Sequence, residues 1–211
     1  MSFEVLLYKF SNKIHETEII TMKQGIVVIL SGVSSVGKSE IRNLLLEDQD
    51  LKLFYSVSET TRPQKEGEVD GVDYYFISHE AFANSVKNFE LLEYTEFNGY
   101  YYGTPRAQVE HLVSMGKNVL IEVEAQGVGS IKMNIDRSIA FYVVPKTYED
   151  LEKHIKETYA DDPGSIQRRL NKAKMDLEIA PLFKHTVCND DPEKAYLEIK
   201  KQVLEKIESL D

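Results

Sequence analysis

The sequence predicts an α/β protein, a parallel sheet flanked by helices and organised around a phosphate-binding loop. Three observations predict it. The run Ile26 to Leu30 is apolar and β-branched, as suits a strand buried on both faces of a parallel sheet. It leads directly into Gly32-x-x-x-x-Gly37-Lys38-Ser39, after which Ile41, Leu44 and Leu45 recur at helical spacing. Downstream, apolar strands at 119–124 and 139–144 alternate with helical patterns, the rhythm of a parallel sheet.

The loop between strand and helix carries the chemistry. Backbone amides from Gly32, Val33, Ser34, Ser35, Val36 and Gly37 would face one concavity, so that a nucleotide phosphate is held by N–H groups and a helix N-terminus. Lys38 would reach the β- and γ-phosphates, and the Ser39 hydroxyl suits Mg²⁺.

Bulk properties narrow the rest. A chain of 211 residues supports one α/β core with inserted subdomains. The net charge of −10 argues against a nucleic-acid polymer or an anionic membrane as partner, while leaving room for a local basic pocket that takes free nucleotides. Cys188 is the only cysteine, which excludes an intrachain disulfide and fits a reducing cytoplasm. No apolar run reaches the length of a membrane span.

Residues 1–24 read as an N-terminal extension with apolar patches at Val5 to Phe10 and Ile14 to Ile20, suited to a hairpin or an edge strand. The first patch lacks a cleavage site and a secretory pattern, and Met22, just before the first core strand, is an alternative translation start. After the first helix, Leu51 to Val57 alternates as a second strand and delivers Ser58 to Glu68 at its carboxyl end, where ligands of open parallel sheets bind. Arg62 and Lys65 by themselves read as an exposed charged turn; at a strand's carboxyl end they are also placed to meet a second anion. Short aromatic strands at 72–77, 91–97 and 100–105, with a helix from His79 to Asn88, look like a small mixed β-sheet inserted into the core. Most of those rings are packing, yet a tyrosine hydroxyl on a rigid stem suits a phosphate in a partly closed cleft.

The core resumes with a helix from Arg106 to Met115, capped by Gly116, and a strand from Val119 to Glu124. Its terminal acids would stand beside the phosphate loop, where Glu122 could hold Mg²⁺ through water; pairing with a nearby lysine is the plainer alternative. A strand follows at Ile139 to Pro145, then charged helices at Tyr148 to Thr158 and Ser165 to Ala180 around Asp161-Asp162-Pro163-Gly164. They read as a hinged lid or as two solvated helices. Thr186 to Cys188 leads into Asn189-Asp190-Asp191, and Pro192 opens an amphipathic terminal helix.

Together, Ser56-Val57-Ser58, Thr60-Thr61-Arg62, Gly67-Glu68-Val69, Gly71, Asp73-Tyr74, Glu93-Tyr94, Tyr101-Tyr102-Gly103-Thr104, Gln126-Gly127 and Asn189-Asp190 resemble the guanylate kinase family, from about residue 25 to the C-terminus. The resemblance implies the P-loop nucleoside monophosphate kinase fold, with a core at 25–57, 106–147 and 170–211, a GMP-binding region at 58–105 and a lid at 148–169. It implies ATP and Mg²⁺ as cofactors, GMP or dGMP as acceptor, and Lys38, Arg62 and Arg169 as catalytic cations. Ser58, Glu93, Thr104 and Glu124 would fall at the guanine, and Arg62, Lys65, Tyr74 and Tyr102 at its phosphate. The loop from Gly32 to Glu40 would hold ATP, with Asn189 near the adenine. A module that binds GMP or a protein ligand without turnover, or a kinase of another monophosphate, is the rival reading; the presence of Lys38 and Arg62 favours the enzyme.

The chain departs from the family pattern at several positions. Val33 and Ser35 replace the usual Pro and Gly, Glu40 replaces a small hydroxyl residue, and Lys65 replaces an arginine. A left-handed Ser35 costs on the order of 1 kcal/mol, and Glu40 would repel a triphosphate. His154 and Thr158 stand where the family has lid arginines, which bears on the rate of the enzyme. Sequence leaves a monomer and a homodimer equally open.

Overall fold

The computed structural model describes residues 24–160 and 162–210. The hairpin or edge strand expected near the N-terminus, and the alternative start at Met22, lie outside the described residues.

The strand that feeds the loop, β1 (Val27–Gly32), is buried at every position. It is followed by α1 (Lys38–Glu47) and β2 (Leu53–Tyr55). An inserted region then comprises β3 (Glu59–Thr60), β4 (Tyr75–Phe76), α2 (His79–Lys87), β5 (Leu91–Phe97) and β6 (Tyr100–Pro105). The core returns with α3 (Arg106–Ser114), β7 (Asn118–Glu122), α4 (Ala125–Asn134) and β8 (Ser138–Val144). Two helices, α5 (Tyr148–Thr158) and α6 (Pro163–Ile179), precede a 3₁₀ turn (Ala180–Leu182), β9 (Thr186–Cys188) and α7 (Pro192–Glu208).

The core sheet runs β2-β7-β1-β8-β9 with all pairs parallel, so β1 is central. Its side chains alternate between two cores. Val28 and Leu30 pack with Ile41, Leu45, Phe141 and Val203, while Val27 and Ile29 pack with Val109, Val119, Val128 and Ile131. Burial on both faces is why the sequence of β1 is uniformly apolar rather than alternating. The inserted sheet, β4-β3-β6-β5, is mixed: β3 and β4 are parallel, and β6 runs antiparallel to both β3 and β5.

Local chemistry explains the helix ends. Ser78 accepts from the Ala81 amide, Thr147 from Asp150, Asp162 from Ser165 and Asp191 from Glu193, so four helices begin on side-chain caps. The Asp162-Pro163 pair therefore starts α6 two residues before the expected Ser165 rather than merely interrupting the chain. Three other expectations are shortened, the first being the second strand, expected over Leu51 to Val57 and formed only over Leu53–Tyr55. Of the stretch 72–77 only Tyr75 and Phe76 pair as a strand, because Gly71 and Val72 are spent on turn hydrogen bonds to Tyr74 and Val69. The strand expected at 119–124 ends at Glu122, and Glu124 becomes the residue that opens α4.

Helix α4 has no counterpart in the sequence reading. Two glycines, Gly127 and Gly129, weaken its intrinsic propensity. It forms because Val128 and Ile131 are buried against the sheet and Ser130 ties it to the Leu92 carbonyl at 2.8 Å.

Candidate active site

The loop closes around its own backbone. Val33 is buried and its amide donates to the Val143 carbonyl of β8 at 2.9 Å, which anchors the loop to the sheet. Asn189, immediately after β9, donates its side-chain amide to the Val36 carbonyl at 2.8 Å and so braces the opposite side. The Ser34 amide donates to Asp176 of α6 at 2.9 Å. Gly37 turns the chain into α1 with φ of 87°, a conformation that favours glycine. Ser35 also adopts a left-handed backbone, φ 64°, which costs a serine about 1–2 kcal/mol. Its hydroxyl accepts from Arg169 at 3.2 Å, a contact that glycine would lack. Lys38 lies across the loop, its ammonium donating to the Gly32 and Val33 carbonyls at 3.2 Å each.

Between this loop and the inserted sheet lies a cleft of about 440 Å³, lined by Lys38, Ser58, Arg62, Lys65, Tyr74, Glu93, Tyr102, Glu124 and Arg169 among others. Glu93 is its most unusual group. It is 7% exposed, its Oε1 accepts from the Thr104 hydroxyl at 2.6 Å, and its buried Oε2 has no partner. Burial, abetted by the charge of Glu124 and opposed by the Thr104 hydroxyl and amide, pushes its pKa up to about 7. An orphaned buried carboxylate oxygen is costly, and such atoms mark places where a ligand donor is expected. Thr104, expected at the guanine itself, is fully buried and donates its hydroxyl to Glu93.

Arg62 makes a two-pronged pair with Glu68, at 2.9 and 2.7 Å, and sits over the Tyr74 and Phe76 rings. That pair raises the Arg62 pKa. Tyr74 meets Tyr102 edge-on at 5.8 Å, and burial pushes the Tyr74 phenol up to about 12, so it remains a hydrogen-bond donor at any physiological pH. Lys65 lines the same end of the cleft.

The acid that ends β7 and the one that opens α4 are both paired. Glu122 meets Arg42 at 3.4 Å and Glu124 meets Lys172 at 2.8 Å. Lys172 also meets Asp176 at 3.1 Å; burial works against its charge, yet the two acids raise its pKa overall. Sequence reasoning missed Arg42. Arg42 follows Lys38 by one helical turn, so projecting that helix from its known cation would have found it. Tyr55, Thr95, Phe97 and Tyr100 also line the cleft without having been singled out.

A second cavity, about 530 Å³, opens on the other side of the loop and is lined by Ser35, Val36, Gly37, Glu40, His154 and Asn189 among others. Glu40 is exposed in the first turn of α1 and faces this cavity. Thr158 lies beside His154 at 3.5 Å. Ser39 is exposed one residue before Glu40. Among the described residues no group of three or more His, Cys, Asp or Glu side chains could hold a metal by itself. One hydroxyl and one carboxylate, Ser39 and Glu122, are what a Mg²⁺ ion requires when phosphates and water supply its other oxygens. Among the described residues no helix is long and apolar enough to cross a membrane.

A phosphate loop at the end of a central parallel strand, facing a mixed-sheet insert with its own cations and a buried acid, is the arrangement of the phosphate-loop nucleoside monophosphate kinase fold. A guanylate kinase family model matches residues 24–206, and the chain belongs to the guanylate kinase family. It is 42% identical to a guanylate kinase of Mesoplasma florum over 176 residues, 83% of this chain and 59% of that protein. The guanylate kinase of Thermus thermophilus is 40% identical over 82% of this chain and 77% of its own length, and that of Mycoplasmoides gallisepticum 36% identical over 88% and 95%. The crystal structure of guanylate kinase from Anaplasma phagocytophilum superposes with a TM-score of 0.71 at 26% identity, covering 87% of each chain.

Proposed function

We propose that this chain transfers the γ-phosphoryl group of ATP to the phosphate oxygen of GMP, yielding ADP and GDP, and takes dGMP likewise. The observation that carries the reading is the Glu93 carboxylate, buried at the cleft wall with one oxygen unpartnered and the other held by Thr104. Guanine presents N1–H and a 2-amino group side by side, two donors for one carboxylate. Adenine presents an acceptor at N1 and would leave the acid unpaired, a steep penalty in a buried site.

The residues divide by which end of the acceptor they meet. Ser58, Glu93 and Glu124 surround the purine, with Lys172 neutralising Glu124 so that Glu93 is the acid left to recognise the base. Arg62, Lys65, Tyr74 and Tyr102 hold the monophosphate. For Arg62 this means exchanging its pair with Glu68 for the phosphate, a trade between two bidentate partners. Lys65 offers charge without a fork.

Donor ATP lies on the loop from Gly32 to Glu40, its base toward the second cavity and Asn189. A Mg²⁺ ion held through Ser39 and, by water, Glu122 would neutralise phosphate charge. The acceptor oxygen is already anionic, so no general base is needed; the task is alignment of two anions and screening of their charge by Lys38, Arg62 and Arg169. Residues 148–169 serve as the lid and 58–105 as the GMP-binding region, closing to exclude water that would otherwise hydrolyse ATP. The exposed, unpaired Cys188 suits a reducing cytoplasm.

The test is ADP formation from ATP and Mg²⁺ in the presence of GMP, dGMP, AMP or dTMP. Turnover with the guanine nucleotides alone is expected. Saturable GMP binding without ADP formation would replace the enzyme by a binding module, and turnover with AMP or dTMP would overturn the assignment of Glu93.

A further inference from the structure

Gly127, in the first turn of α4, has no side chain, and Glu93 occupies the space one would fill. A Cβ at this position would lie 2.5 Å from Glu93 Oε2, 2.9 Å from Cδ and 3.0 Å from Cγ. The backbone does not require glycine here, because Gly127 is not among the residues with positive φ and lies inside a regular helix. Nor can α4 back away to make room. Gln126 donates to Thr95 at 2.5 Å and Ser130 to the Leu92 carbonyl at 2.8 Å, so the helix is tied to β5 on either side of Glu93 in sequence. Val128 and Ile131 are buried in the core beneath it. The carboxylate is thus pressed between the Thr104 hydroxyl and the bare face of a fixed helix.

We propose that Gly127 is a positioning residue of the guanine site: its missing side chain sets the depth of the Glu93 carboxylate, and through it the preference for a purine with two adjacent edge donors. The proposal rests on the reading of Glu93 as the guanine acceptor. A methyl group at 127 would drive the carboxylate roughly 1 Å into the cleft before ordinary contact is restored. A displacement of that size takes a hydrogen bond near 2.9 Å out of range or into collision, and misplacements of about 1 Å cost on the order of 100-fold in function.

The experiment is a cycle of four proteins: wild type, Gly127→Ala, Glu93→Asp and the double variant, each measured for KM of GMP, KM of ATP and thermal unfolding. Gly127→Ala is expected to unfold at or above the wild-type temperature, since alanine suits a helix better than glycine. Its KM for GMP should rise roughly 100-fold while that for ATP moves less than about twofold. Aspartate is one methylene shorter and clears the added methyl, so Gly127→Ala placed on Glu93→Asp should cost less than about threefold in KM for GMP. The same factor in both backgrounds would overturn the proposal, as would a Gly127→Ala protein that folds poorly, because either result makes the glycine a packing device. A wild-type protein that forms no ADP with GMP refutes the kinase reading and this proposal together; additive factors in an active enzyme refute this proposal alone.

Discussion

Replacing Glu93 by glutamine tests burial, ionisation and recognition in one protein. The carboxylate is 7% exposed and its pKa is pushed from 4.5 up to about 7, mainly by burial. A raised carboxylate pKa means that the folded state binds the proton more tightly than the unfolded chain. Stability from this group is therefore fully present below about pH 4.5 and is lost as pH rises through 7. The span from 4.5 to about 7 corresponds to about 3 kcal/mol at roughly 1.4 kcal/mol per pH unit. Glutamine fills the same space, accepts from Thr104 and does not titrate. Glu93→Gln should accordingly gain about 3 kcal/mol on the wild type between pH 4 and pH 8, a melting shift of about 6–12 °C for a chain of this size. Chemical denaturation of the ligand-free protein across that range measures it. With Glu93 as the proposed guanine acceptor, GMP requires the ionised acid, and its dissociation constant in the wild type should also rise about tenfold per pH unit below 7. The acceptor's own phosphate titrates near pH 6, and Glu93→Gln, which keeps that ionisation, isolates the enzyme's part. At pH 8 the variant should bind GMP roughly 100-fold more weakly, with ATP within about twofold. A stability gain independent of pH, or equal weakening of both nucleotides, would refute the reasoning.

Lys38→Met should lower kcat by about 10²–10³ with little change in KM for GMP, checked by steady-state kinetics, because it removes the loop cation proposed to screen the transferred group. Thr158→Arg adds a cation beside His154 at the edge of the donor cavity and should raise kcat several-fold, on the order of one charge-assisted contact; an unchanged rate would show that Arg169 or a neighbouring lysine already fills the role. Lys172→Met leaves Glu124 unscreened next to Glu93, so the pH below which GMP binding fails should move upward, read from the same titration as above. Asp48 accepts from the Leu51 and Asp50 amides, Tyr196 and Lys200, and its pKa is lowered to about 2 although burial opposes this. That contribution is present above pH 3.8 and lost as pH falls through 2, so Asp48→Asn should flatten the acid limb of the wild-type denaturation curve.

The residues by themselves determined a good deal. Local sequence specifies a buried parallel strand by its apolar run, a phosphate loop by spacing, and helix starts by their caps, because each depends on neighbours within a few positions. The left-handed Ser35 could be anticipated for the same reason, since the loop's geometry is local. Helix α4 could not be, because its two glycines argue against it and only contact with β5 and the sheet stabilises it. The pairing of Glu122 with Arg42 and of Glu124 with Lys172, the hydrogen bond from Thr104 to Glu93, and the empty space at Gly127 are likewise decisions of the tertiary structure. They join residues far apart in the chain, and their energies arise from burial and close packing, which no short window of sequence contains.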